Sequence, residues 1–94
     1  MKKYIVDFEN VTNYSEFYEV LIKGLEFPEW CGKNPDAIWD LLTGWLEYPA
    51  LVEIKNSAGL EGWMLKKEFD LLVETLEETE EWYDEGEFSF VILS

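Results

Sequence analysis

Hydrophobic and polar residues follow one another along this chain in blocks that predict strands separated by helices. Runs rich in β-branched and aromatic residues at 3–8 and 50–54, and a strongly apolar run at 88–93, predict three strands. Between these runs, apolar residues recur every three or four positions, as in amphipathic helices. Strands that alternate with helices indicate right-handed crossovers and an α/β layer fold. Because the last strand lacks polar alternation, we expect it to be buried on both faces, as in a parallel sheet.

Two predicted helices flank the middle of the chain. The first begins at Asn13 or Ser15, either of which can cap it, and ends near Gly24. The longest helix runs from about 63 to 84. Its expected buried stripe is Leu65, Phe69, Leu72, Val73, Leu76 and Tyr83. Residues 55–62 fit either a loop or a loop that contains a helical turn.

The helix between them, at 34–42, has the sharpest predicted boundaries. Asn34 can cap the free backbone N–H groups, and Pro35 is favoured at the first helical position. Asp36 suits the positive end of the helix dipole, and Gly44 gives a C-terminal stop. The apolar face consists of Ala37, Ile38, Leu41 and Leu42. The opposite side and its flanks carry Trp30, Asp36, Trp39, Asp40, Thr43, Trp45 and Glu47. This segment has the composition of a contact site.

Composition and charge restrict the possible functions. The 94 residues predict a single domain, 1–94, and 48% hydrophobic content supports a core. With 21 acidic and 7 basic residues and no His, the net charge of −14 disfavours nucleic acid and anionic membranes and favours a basic partner. One Cys cannot form an internal disulfide and fits a reducing compartment. The sequence predicts no signal peptide and no membrane helix, so we expect a cytoplasmic protein.

Acidic residues are concentrated in the second half of the longest predicted helix. Between Glu74 and Glu87 there are eight acids and no base. One face carries Glu74, Glu78, Glu81 and Glu85. Like charges at this spacing repel one another. A solvated outer face is the ordinary interpretation of such a run, but the missing Lys or Arg also favours steering of a basic partner.

Catalysis is the weaker interpretation of the acidic residues. Asp36 and Asp40 are the obvious carboxylate pair for acid–base chemistry, yet one helical turn offers them no pocket and no His. The sequence has no EF-hand loop, no metal-spaced His pair and no phosphate-binding glycine motif. We therefore expect no enzyme activity, no metal site and no cofactor.

Together these motifs resemble the barstar family of intracellular inhibitors of barnase-type ribonucleases. The resemblance rests on Trp30-Cys-Gly-Lys-Asn-Pro-Asp-Ala-Ile-Trp-Asp40, on Leu-Leu-Thr-Gly-Trp45, on Tyr48-Pro49, and on Glu81 and Glu85-Gly86 before a last strand ending Ile-Leu-Ser. It covers nearly the whole chain and is weakest at 55–64. It implies a three-stranded parallel sheet with helices packed around it.

The resemblance also implies a mode of action. The helix at 34–42 and the preceding loop would plug the active site of a secreted or toxic basic ribonuclease, in a 1:1 complex. Asp40 would mimic the substrate phosphate opposite Arg and His side chains. Trp30 would stack on the nuclease, while Gly32 and Asn34 match the loop and the cap. Further matching positions are Cys31, Asp36, Trp39, Thr43, Trp45, Glu47, Glu81 and Glu85.

Two loop residues depart from the family pattern. Cys31 stands where a second aromatic residue is expected, and we expect its thiol to be free and accessible near the interface. Lys33 adds a positive charge to a loop that would face a basic enzyme. Simpler roles also remain open for five of these residues. They are a shield of the helix face for Trp39, a core residue for Trp45, an inert half-buried thiol for Cys31, a favourable charge in the first helical turn for Asp36, and a position that only precedes the Gly86 stop for Glu85.

Two hypotheses of function follow from the sequence. The favoured one is a ribonuclease inhibitor that protects the producing cell and performs no chemistry of its own. The alternative is a generic acidic interaction module or nucleic-acid mimic that binds another basic protein. Such a mimic needs distributed charge, but it does not need the spacing of side chains from Trp30 to Glu47.

Overall fold

The structure, a computed structural model, describes residues 1–93 of the chain. Within that range, three strands alternate with three α-helices and one short 3-10 helix. The strands are β1 (Lys2–Asp7), β2 (Ala50–Lys55) and β3 (Phe88–Ile92), and the helices are α1 (Tyr14–Gly24), α2 (Pro35–Leu42) and α3 (Trp63–Trp82). The 3-10 helix spans Ser57–Gly59, within the segment for which a loop with a helical turn was one of the two predictions. Ser94, the last residue of the predicted domain, lies outside the described residues.

The strands form one parallel sheet in the order β1-β2-β3. In the register of the sheet, Lys2 lies opposite Ala50, and Ala50 lies opposite Phe88. Alternate residues of the central strand point into the core, and Val52 and Ile54 are fully buried. This arrangement confirms the predicted α/β fold with a three-stranded parallel sheet and packed helices.

The prediction that the last strand is buried on both faces is wrong. Phe88 is buried, but Val91 and Ile92 are 38% and 42% exposed. β3 lies at the edge of the sheet, and the other face of the sheet is also partly open, since Ile5 on β1 is 45% exposed. An apolar run therefore indicated a strand correctly, but it carried no information about the position of that strand in the sheet.

The three helices contribute to one hydrophobic core against the sheet. The residues that they bury most fully are Phe17 and Leu21 of α1, Ile38 and Leu42 of α2, and Leu72 and Leu76 of α3. The end of α1 approaches β1 closely at Gly24, where a Cβ atom would lie 2.5 Å from the backbone oxygen of Ile5. Glycine is required for this approach, because any side chain would collide with the strand.

The boundaries of α1 and α3 refine the sequence predictions. Asn13, rather than Ser15, caps α1, since its Oδ1 accepts a hydrogen bond of 2.9 Å from the Glu16 backbone N–H. α3 ends at Trp82, and Tyr83 is half-buried just beyond it. Thr79 is fully buried although the predicted stripe did not contain it. Within residues 1–93, none of the helices has both the length and the apolar content that crossing a membrane requires.

Candidate protein-binding site

The predicted boundaries of α2 are confirmed by hydrogen bonds at both ends. Asn34 Oδ1 accepts a hydrogen bond of 2.8 Å from the Ala37 backbone N–H, and Pro35 occupies the first helical position. At the other end, the Thr43 hydroxyl donates a hydrogen bond of 2.9 Å to the Trp39 carbonyl. Asn34 and Thr43 therefore have structural roles that hold the helix in a fixed frame.

The two faces of α2 differ as predicted. Ile38 and Leu42 are buried in the core, whereas Asp36 and Asp40 are exposed and Trp39 is half-buried. Among residues 1–93, no hydrogen bond or ion pair engages the Asp40 carboxylate. A mid-helix carboxylate without a partner adds nothing evident to the fold, and it is free to meet a cation from outside.

An acidic cleft separates α2 from α3. It has a volume of about 230 Å³, and its lining residues are Pro35, Asp36, Trp39, Leu71, Glu74, Thr75 and Glu78. Carboxylates thus enter it from both helices. At the end of α3, the Trp82 ring meets the Trp39 ring edge to face, with 5.8 Å between the ring centroids. Three carboxylates beside an indole suit a cationic side chain.

Sequence reasoning treated the α3 acids as a charged face and did not place Glu74 and Glu78 at the contact site. The sequence did contain a signal for this placement, because Glu74, Glu78 and Trp82 follow one another at four-residue spacing and so share one face of α3. Glu81 and Glu85, which the resemblance selected, are exposed and do not line the cleft. Glu81 lies in the last turn of α3, and Glu85 follows the helix.

The loop before α2 and the segment after it place two indoles side by side. The Trp30 and Trp45 rings meet edge to face at 6.1 Å, and the two side chains are 73% and 50% exposed. Trp45 Nε1 also donates a hydrogen bond of 3.3 Å to the Glu26 carbonyl. Trp45 therefore lies at the surface rather than in the core, and the pair forms an exposed aromatic platform.

Gly32 and Glu47 flank this platform in different ways. A Cβ atom at Gly32 would lie 2.9 Å from Asn34 Nδ2 and 3.2 Å from Ala37 Cβ, so glycine lets the loop pass close to the start of α2. The Glu47 side chain is exposed, while its backbone N–H donates a hydrogen bond of 3.1 Å to the Tyr4 hydroxyl oxygen. Gly32 shapes the loop, and Glu47 adds a carboxylate beyond α2.

The prediction of an accessible thiol at Cys31 is wrong. The cysteine is free, as expected, but it is only 6% exposed and belongs to the hydrophobic core. Burial raises the pKa of the Cys31 thiol, which keeps it protonated. The small side chain of Cys31 turns inward here and packs as a hydrophobic residue.

The positive charge that Lys33 adds to the loop is directed toward α1. Its Nζ lies 3.1 Å from Glu19 Oε1 and donates a hydrogen bond of 2.9 Å to Ser15 Oγ. Both partners belong to α1, so the side chain folds back onto that helix. The loop charge is paired within the molecule.

The charges along α3 oppose its dipole. Lys66 and Lys67 lie near its N-terminus, its last turn contains no basic residue, and the acids crowd its C-terminal half. Negative charge at the negative end of a helix dipole is unfavourable. The arrangement places a negative potential beside α2 at some cost to the helix. Within residues 1–93, no group of three or more acidic or cysteine side chains could hold a metal ion.

The α/β fold thus presents an acidic surface that carries exposed indoles. Comparison with known families is specific: the family model described as "Barstar (barnase inhibitor)" matches residues 1–94, and the chain belongs to this family. The description of this family names an inhibitor rather than an enzyme. The chain is also similar to a curated protein of Bacillus subtilis (strain 168) named "Putative ribonuclease inhibitor YrdF". The two are 39% identical over 56 residues, a match that spans 60% of this chain and 62% of that relative's length.

Proposed function

We propose that this protein inhibits a basic ribonuclease of the barnase type by inserting α2 and the preceding loop into its active site. The complex would be 1:1 and would form in the cytoplasm of the producing cell. One observation carries the proposal most directly: the Asp40 carboxylate is exposed, mid-helix and unengaged by any residue from 1 to 93. A carboxylate held on a rigid helix is a suitable mimic of a substrate phosphate.

The surroundings of Asp40 fit a basic partner. A ribonuclease must neutralise the phosphate of its substrate, so its active site presents cationic side chains. Asp40 would meet these at the centre, while the acidic cleft at Asp36, Glu74 and Glu78 would receive a neighbouring cation. The Trp39 indole in the same cleft adds a cation–π surface. In this arrangement, Asp40 would take the place of the substrate phosphate, and the cleft would bind a second cationic side chain of the partner.

The remaining predicted site residues divide into contacts and supports. Trp30 and Trp45 would stack on the nuclease, since exposed indoles side by side supply large apolar area at low entropic cost. The proposed outer contacts are Glu47, Glu81 and Glu85. Asn34, Thr43, Gly32 and the buried Cys31 would act indirectly, by keeping the loop and α2 in place.

A generic acidic module remains the second candidate function, because the net charge of −14 alone would attract many basic proteins. The local geometry favours the specific inhibitor. A charge-only mimic does not require an indole platform, a cleft of fixed shape and an unpaired carboxylate on one surface. Family membership favours the same choice.

The test is titration of the protein into barnase while hydrolysis of an RNA substrate is followed at physiological salt. We expect activity to disappear at an equimolar ratio, and size-exclusion chromatography to show a 1:1 complex. A nucleotide bound in the nuclease active site should compete. Cytochrome c, a basic protein without nuclease activity, is the control and should not bind. Undiminished barnase activity with excess protein, together with binding to cytochrome c, would support the generic module instead.

A further inference from the structure

Lys33, the last residue before the Asn34 cap of α2, is held by α1 at both its side chain and its main chain. Its Nζ contacts Glu19 Oε1 at 3.1 Å and donates a hydrogen bond of 2.9 Å to Ser15 Oγ. Its backbone carbonyl accepts a hydrogen bond of 2.7 Å from the Tyr14 hydroxyl. We call Tyr14, Ser15, Glu19 and Lys33 the Lys33 clamp. It joins the contact loop to the first turns of α1.

The α1 side of the clamp is itself fixed. The Tyr14 ring packs against the Tyr18 ring with 4.9 Å between the centroids, and Tyr18 is buried. The Tyr18 hydroxyl in turn donates a hydrogen bond of 2.7 Å to Glu68 Oε1 on α3. Ser15 Oγ also donates to Glu19 Oε1 at 3.2 Å, which orients the carboxylate toward the lysine. The loop is therefore attached to a part of α1 that packs into the core and is hydrogen-bonded to α3.

The clamp matters because of the sign of its charge. Lys33 is one of only 7 basic residues in a chain of net charge −14, and it lies in the loop proposed to enter a basic active site. Released from Glu19, its long side chain would be free to reach the contact surface and repel the partner. Exposed ion pairs contribute little to folding stability. The main effect of this one is to control where the lysine charge lies.

We propose that Tyr14, Ser15 and Glu19 are positioning residues of the inhibitory loop. They hold Lys33 against α1, so that its charge is neutralised away from the partner and the loop is ordered before binding. A loop ordered in advance loses less entropy on association. The binding consequence rests on the proposed function, whereas the clamp is a property of the free protein.

A double-mutant cycle on the rate of association with barnase tests the binding consequence. We expect Glu19→Gln to lower the on-rate about three- to tenfold at low salt, because it frees the lysine. In the Lys33→Met background, the same change should alter the on-rate less than about twofold. Glu9→Gln removes an equal charge from an exposed loop outside the clamp, and its effect should be small and equal in both backgrounds. Equal effects of Glu19→Gln in the two backgrounds would overturn the charge-positioning role.

Backbone ¹⁵N relaxation of the free protein tests the clamp without a partner. In the parent, the Gly32 and Lys33 amides should have order parameters of about 0.85, and Tyr14→Phe combined with Glu19→Gln should lower them to about 0.6. Glu9→Gln should leave them unchanged. If the parent fails to inhibit barnase, the proposed function fails while this measurement still decides the clamp. Order parameters that stay at the parental value in the Tyr14→Phe and Glu19→Gln double variant would overturn it.

Discussion

The Tyr83 hydroxyl donates a hydrogen bond of 2.8 Å to the backbone carbonyl of Thr43, so a residue just beyond α3 holds the end of α2. The last carbonyls of a helix lack partners within the helix and need them from elsewhere. Here the partner comes from the segment that leads into β3. The contact fixes the C-terminal end of α2 against the end of α3, beside the Trp39 and Trp82 pair. A tyrosine outside both helices therefore links the C-terminal ends of α2 and α3.

Tyr83→Phe should lower the free energy of unfolding by about 1 kcal/mol, because the Thr43 carbonyl loses a hydrogen-bond donor. Urea unfolding followed by tryptophan fluorescence measures this difference. Tyr48→Phe is the matched control: its hydroxyl oxygen is buried in the same aromatic cluster, and no described residue lies in hydrogen-bonding geometry with it. Removing that hydroxyl should be neutral or slightly stabilising. Equal destabilisation by both variants would mean that the Tyr83 hydrogen bond has no special role.

The thiol of Cys31 should resist alkylation in the folded protein, because it is buried and its pKa is raised by burial. Reaction with a thiol reagent at neutral pH should become fast only when urea unfolds the chain. The rate of modification in native buffer and in urea measures this. Rapid modification of the native protein would place the thiol at the surface and restore the sequence expectation.

The same raised pKa of Cys31 predicts a dependence of stability on pH. The folded state favours the neutral thiol. This contribution to stability is therefore complete below the unfolded-state pKa of about 8.5, and it is lost as pH rises through the folded-state pKa. We expect the free energy of unfolding to decline as the pH rises above about 8.5. Cys31→Ala should flatten this decline, each variant being compared with its own value at neutral pH. An unchanged slope would show that the thiol does not contribute.

The sequence predicted those elements whose signals are local. Asn34, Pro35 and Gly44 identify the ends of α2 because caps and stops act on adjacent backbone groups. The position of β3 at the edge of the sheet could not be predicted, since strand order depends on contacts between distant segments. Thr79 was missed because it is polar, although its hydroxyl is satisfied within the helix by the Thr75 carbonyl at 2.8 Å.

The candidate site shows the same division between local and distant information. The exposed face of α2 followed from helical spacing, and the structure reproduces it. Which acids of α3 face α2 depends on how the two helices pack, so Glu74 and Glu78 emerged only from the structure. Pairing of Lys33 with Glu19, 14 positions away, likewise left no periodic signal. Residue identities within one segment therefore predicted the ends and faces of α2, but not which residues of other elements pack beside it.

Electrostatic steering should make association with a basic ribonuclease strongly dependent on salt. Exposed charges are screened beyond about 10 Å at 0.1 M ionic strength, so the on-rate should fall steeply as salt is added. Glu78→Lys reverses a charge in the cleft and should lower the on-rate about tenfold at low salt. Glu77→Lys is the matched control, because Glu77 is adjacent and exposed but does not line the cleft. Stopped-flow measurements over a salt series would contradict steering if the parental rate stayed constant.

Asp40→Ala should separate folding from binding more clearly than any other substitution. An exposed mid-helix Asp is replaced by the best helix former, so the free energy of unfolding should stay the same or rise by a few tenths of a kcal/mol. Binding to the cognate ribonuclease should weaken by more than about 2 kcal/mol, because the truncation leaves cationic groups of the partner buried and unpaired. Truncation of an aspartate in barstar causes one of the largest known losses of binding energy, so the expected size of the effect follows from the family. Glu81→Ala, which removes an exposed acid outside the cleft, should cost less. Urea unfolding measures the effect of both variants on stability, and titration calorimetry measures their effect on binding. If Asp40→Ala binds like the parent while Glu81→Ala binds more weakly, α2 is not the inhibitory element.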